Sequence, residues 1–137
     1  MMGLLEKYVQ NNITVSVDLI VATGVLSVDF IIQAPGYPFR YLSFNDMTYK
    51  GEVINDETKL DIDAIGLKEI PADEEWLEEG ATKLIVIPKG TKVELIFDPK
   101  YYDNYDQMFK TVIIGYNGIK IYALVCEELN DFIESIE

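Results

Sequence analysis

The sequence predicts an α+β fold that is mainly antiparallel β-structure. Three observations lead there. Runs of strand length alternate apolar with polar residues. Turn signals separate them, such as Pro-Lys-Gly-Thr at 88–91 and Asn-Gly at 117–118. No strand–helix–strand alternation of the parallel-sheet kind is present. The expectation is about seven or eight strands in hairpins, forming a sheet, a sandwich or a partly open barrel. Short N-terminal, central and C-terminal helices accompany them. The 137 residues fit a single domain, and 49% apolar residues supply enough material for its core.

Each element has its own warrant. Residues 3–10 place Leu4, Leu5, Tyr8 and Val9 at helical spacing, and Asn11-Asn12 can end that helix. Residues 13–21 put Ile13, Val15, Val17, Leu19 and Val21 on one face of a strand. Ala22-Thr23-Gly24 reads as a turn and 25–32 alternates again, so 13–33 is expected to be one long hairpin. Pro35 and Pro38 mark a loop, and 39–44 is a short aromatic strand. Asn45-Asp46 and Asn55-Asp56 are turn signals around a further strand at 47–54, which Gly51 weakens. Leu60, Ile62 and Ala64 alternate with Asp61 and Asp63, again a strand pattern.

Residues 71–79 change character. Pro71 at the start, early acids and a closing Gly80 suit one or two helical turns. The stretch 82–97 follows, with two β-branched runs flanking the turn at 88–91, and is expected to be the central hairpin. Residues 98–107 form a polar loop rich in tyrosine and aspartate. Residues 111–116 and 119–125 flank Asn117-Gly118, the strongest short hairpin signal in the chain. Leu129, Phe132, Ile133 and Ile136 repeat with helical spacing and predict a C-terminal amphipathic helix.

Charge narrows the function. The chain carries 24 acids against 11 bases, a net charge of −13. Such a chain repels phosphate backbones and anionic membranes and attracts basic partners. Arg40 is the single arginine, so bidentate phosphate recognition is poorly supplied. The absence of histidine removes histidine-activated nucleophiles and the usual zinc ligand sets. Cys126 is the single cysteine, so no intrachain disulfide forms, and a small buried hydrophobe is its expected role. No basic segment leads into an apolar signal-like run, and no apolar run approaches the ~20 residues of a membrane span. A cytoplasmic location is the expectation.

Motifs for catalysis are weak. Asp61 and Asp63 on one strand face could serve a divalent cation or acid–base chemistry, but no third ligand is evident. Asp103-Asn104-Tyr105-Asp106 lacks the glycine and distal glutamate of a calcium loop, and Lys89-Gly90-Thr91 lacks the upstream glycine of a phosphate loop. No catalytic residue, metal ligand or cofactor site is assigned. Tyr37, Tyr41 and Tyr49 read as core aromatics.

Binding is the stronger theme. Residues 69–137 hold 15 acids and 6 lysines, a charge of −9, against −4 for the remainder. Within the expected central hairpin, the ends of both strands would carry acidic material. The candidate partner-binding residues are therefore Glu74, Glu75, Trp76, Glu78 and Glu79 before it, and Tyr101, Tyr102, Asp103, Tyr105 and Asp106 after it. The expected function is a small acidic inhibitor that neutralises a basic nucleic-acid-processing protein, such as a nuclease, by steering and steric occlusion. Its analogues in composition are immunity proteins and phage anti-defence inhibitors, including those of CRISPR nucleases. The alternatives are a non-catalytic assembly subunit, self-associating as a homo-oligomer, and a carboxylate- or metal-dependent enzyme.

Overall fold

Two long apolar stretches of this chain pair with each other, each bending in the middle, and the rest of the fold is laid against that bent ribbon. The computed structural model describes residues 3–12, 19–35, 47–54 and 59–137. The elements in order are α1 (Leu4–Asn12), β1 (Ile20–Leu26), β2 (Phe30–Gln33), β3 (Met47–Tyr49) and β4 (Glu52–Val53). There follow α2 (Ile62–Ile65), β5 (Lys68–Pro71), α3 (Glu74–Glu78), β6 (Lys83–Ile87) and β7 (Lys92–Phe97). The chain ends with β8 (Tyr102–Asp103), β9 (Met108–Phe109), β10 (Thr111–Tyr116), β11 (Ile119–Val125), α4 (Cys126–Leu129) and β12 (Ile133–Ile136). The strands pair antiparallel, and the fold is α+β with β dominant, as the hydrophobic patterning predicts.

One sheet has seven strands in the order β12-β1-β7-β10-β11-β3-β4, and a second has three in the order β2-β6-β5. β8 and β9 form a small separate ribbon. The ribbon of β1–β2 against β6–β7 links the two sheets. Val25 lies opposite Lys92 in the large sheet, and Phe30 lies opposite Ile87 in the small one. Both strands advance by the same number of residues between these pairs, so the register survives the bend. The corner is itself hydrogen-bonded. Leu26 N–H donates to the Thr91 carbonyl (3.0 Å), Gly90 N–H to the Leu26 carbonyl (2.8 Å), and Lys89 N–H to Asp29 Oδ1 (2.8 Å). Strands that switch sheets through a bend are how two packed sheets make a corner.

Neither of the two expected long hairpins forms. Residues 82–97 and the described part of 13–33 each cross between the sheets and pair with each other. The physical reason is visible in β6, where Leu84, Ile85, Val86 and Ile87 are all buried. Ile85 and Ile87 join the main core between the sheets, while Leu84 and Val86 join a second cluster on the outer face. A strand buried on both faces needs a central place in its sheet, here between β2 and β5. Residues 13–18 and 36–46 lie outside the described residues, and with them the expected strand at 39–44, Asn45-Asp46, Tyr37 and Tyr41. The turn signal at 55–56 lies outside them too.

Other expectations shift for local reasons. Gly24 is a mid-strand residue of β1, paired with Val93 and Ile136 at a point where a Cβ would meet Leu95 Cδ1 at 2.6 Å, so the 22–24 segment is no turn. Residues 47–53 form a hairpin turning at Lys50-Gly51, both at positive φ (51° and 87°). Asp61 caps α2, accepting from Ala64 N–H at 3.1 Å, so residues 60–64 are no strand. Pro71 ends β5, and α3 starts later, capped by Asp73. The expected C-terminal helix is a helical turn, α4, a 3-10 turn, and then the edge strand β12 on β1. The β10–β11 hairpin forms as expected, with Asn117 and Gly118 at φ of 45° and 90°.

Candidate functional site

The candidate residues fall on two separate elements. Glu74, Glu75, Trp76, Glu78 and Glu79 belong to α3 and its end. Asp73 Oδ1 accepts from Trp76 N–H (3.2 Å), and the helix stops where Gly80 takes a φ of 104°. The half-buried Trp76 packs on Ala34, Ala72, Ala81, Leu84 and Val86, the outer face of the small sheet. Glu74, Glu75, Leu77, Glu78 and Glu79 are exposed. Among the described residues none of these four glutamates makes an ion pair.

Tyr101, Tyr102, Asp103, Tyr105 and Asp106 lie on or beside the β8–β9 ribbon. A 3-10 turn over Pro99–Tyr101 leads in, capped by Asp98 Oδ1 on Lys100 N–H (3.1 Å). Tyr102 packs edge-on against Phe109, centroids 5.1 Å apart, and thereby joins the main core. Lys100 Nζ lies 5.0 Å from the centre of the Tyr101 ring, a cation–π contact. Asp103 Oδ1 accepts from Tyr105 N–H (2.8 Å) and Asp106 N–H (3.2 Å), which holds the turn. Tyr105 at its tip is 94% exposed. Asp106 pairs with Lys110, whose ammonium is stabilised by that hydrogen bond and held above its ordinary pKa. The two groups therefore stand on different layers, α3 outside the small sheet and the ribbon against the main core. Asp61 and Asp63 do not share a strand face, since one caps α2 and the other sits in its first turn. Among the described residues no group of three or more Cys, Asp and Glu is placed to hold a metal.

A third feature was not legible in the sequence. A groove runs between α1, the β8–β9 ribbon and α4. One part, about 430 Å³, is lined by residues including Glu6, Met108, Lys110, Val125, Glu127 and Asp131. A second part, about 180 Å³, adds Val9, Gln10, Asp106 and Gln107 and shares Glu6, Met108, Phe109 and Cys126 with the first. Asn130 ties its walls together. Its Oδ1 accepts from Leu5 N–H (2.9 Å), and its Nδ2 donates to Glu6 Oε2 (2.8 Å). Cys126 lies beneath, 3% exposed. Burial pushes its thiol up to about 12, and the Glu6 carboxylate beside it, with a hydrogen bond between them, adds to the rise. So protonated a thiol is no nucleophile near neutral pH. Glu6 and Asn130 are 124 positions apart, and no local pattern joins them.

Comparison with protein-family models, with curated proteins and with solved structures yields no match. Among the described residues no helix is long and apolar enough to cross a membrane.

Proposed function

We propose that the protein is a non-catalytic, cytoplasmic binding protein that neutralises a basic, nucleic-acid-processing partner such as a nuclease. The observation that carries this reading is α3, a short helix presenting exposed Glu74, Glu75, Glu78 and Glu79 without ion pairs. Glu74 with Glu78, and Glu75 with Glu79, are like charges four apart, a spacing that repels on a helix. The helix tolerates this because Trp76 anchors it to the sheet. Lysines and arginines of a partner would relieve the repulsion, with Leu77, 51% exposed, adding apolar contact. The acidic surface would steer encounter and then cover the partner's nucleic-acid-binding face. The test is capture of the partner followed by competition with duplex DNA or RNA. The reading requires nucleic acid to displace the protein, and binding indifferent to both nucleic acid and salt would overturn it.

A second reading rests on Leu19 and Val21, 55% and 54% exposed beside and at the start of β1. They favour an assembly subunit that self-associates through this exposed apolar pair. Light scattering across a concentration series separates the two, because a strict monomer removes the self-associating version.

A further inference from the structure

We infer that the groove between α1, the β8–β9 ribbon and α4 receives a lysine or arginine side chain of the basic partner. The inference rests on the proposed binding function and names a second place of contact, away from α3. Two properties of the groove fit that ligand together. Its apolar surface is accessible, for Met108 is 39% and Val125 44% exposed, beside the buried Phe109 and Cys126. Exposed methionine and valine in a concave site match the aliphatic stem of a long basic side chain. Its rim is negative, with Glu6, Asp106, Glu127 and Asp131 against one ammonium, Lys110.

These charges are not equivalent. Lys110 is already engaged by Asp106, so that pair is internally compensated. Glu6 is fixed by the Asn130 amide. Glu127 and Asp131 are exposed, and among the described residues their carboxylates make no ion pair. A cation lying along Met108 and Val125 would thus find the Asp131 carboxylate, the Glu127 carboxylate, which also acts through space on Lys110, and a third already oriented. The groove is also preformed, since Asn130 holds α1 to the segment after α4 in the free protein. Little ordering cost is then left for binding.

The probe is a capped Arg-Gly-Arg-Gly-Arg peptide, titrated into the full chain and followed by methyl and amide NMR shifts. Its citrulline analogue keeps the stems and removes the charges. The arginine peptide should shift the Met108 and Val125 methyls and the amides of 126–131, and the citrulline peptide should not. A variant with Glu127→Gln and Asp131→Asn should weaken binding by about fivefold or more, the product of two modest charge contacts. A charge-matched variant with Glu52→Gln and Asp63→Asn, outside the groove and α3, should bind as the parent does. Equal weakening in both variants, or shifts confined to α3, would overturn the groove and leave the proposed function standing. No binding of the arginine peptide anywhere would overturn both.

Discussion

Asn130 joins the two ends of the described chain through both ends of one amide. Its oxygen serves a free N–H at the start of α1, and its nitrogen serves the Glu6 carboxylate. Loss of a helix-capping acceptor together with a partner for a carboxylate costs about 1–2 kcal/mol. Asn130→Ala should therefore lower the unfolding free energy by that amount, read in equilibrium urea unfolding as a lower midpoint at an unchanged slope. Cys126 supplies a second check at this scale. Its thiol rises from an ordinary 9.0 to about 12 through burial and the adjacent Glu6. Below pH 9 the thiol is neutral in both folded and unfolded chains, so it contributes nothing to pH dependence. Between about 9 and 12 only the unfolded chain ionises, so stability falls as pH rises. The stability of the parent relative to Cys126→Ala should decline across that window, and thiol labelling at pH 8 should proceed only through unfolding. The burial of Cys126 was legible from its lone, partnerless position in the sequence. The Asn130–Glu6 contact was not, because nothing local marks a pairing between opposite ends of a chain.

The bent ribbon dominates at the scale of elements. Its corner should be sensitive to small changes. Asp29→Ala removes the acceptor of Lys89 N–H in an exposed turn, and about 0.5–1.5 kcal/mol of stability should go with it, read by thermal or urea unfolding. Gly24→Ala should cost more, about 1–3 kcal/mol by the same measurement. Its methyl would press on Leu95, which is fully buried and has little room to move. The same glycine explains why the sequence misled. In a strand that another side chain crosses closely, glycine is a packing choice, yet by composition it reads as a turn. Strand propensity and the Asn117-Gly118 turn were legible because they are local. Partner choice was not, since alternation alone does not say which run lies opposite which. At the C-terminus, Leu129, Phe132, Ile133 and Ile136 fit helical spacing, but residues 133–136 gain an edge on β1. Ser27 N–H and Thr23 N–H donate to the carbonyls of Phe132 and Glu137 (both 2.8 Å), which fastens that strand. Tertiary pairing overrode periodicity there.

For the whole molecule, charge is the governing quantity. The −13 net charge is legible from composition, but its distribution needed the fold. With β6 and β7 in different sheets, α3 and the β8–β9 ribbon no longer share a hairpin end, and the acids stand on separate layers. Among the described residues, two edge strands carry features that discourage further pairing, Pro71 and the Lys83–Glu69 ion pair (3.3 Å) at β5 and the two-residue length of β4. The most direct test is the salt dependence of Kd for the captured partner, measured for the parent and for a variant with Glu74, Glu75, Glu78 and Glu79 changed to glutamine. Acidic docking predicts an affinity that falls steeply with salt in the parent and more gently in the variant, which should also bind at least about tenfold more weakly at low salt. Equal affinities and equal salt slopes would contradict it.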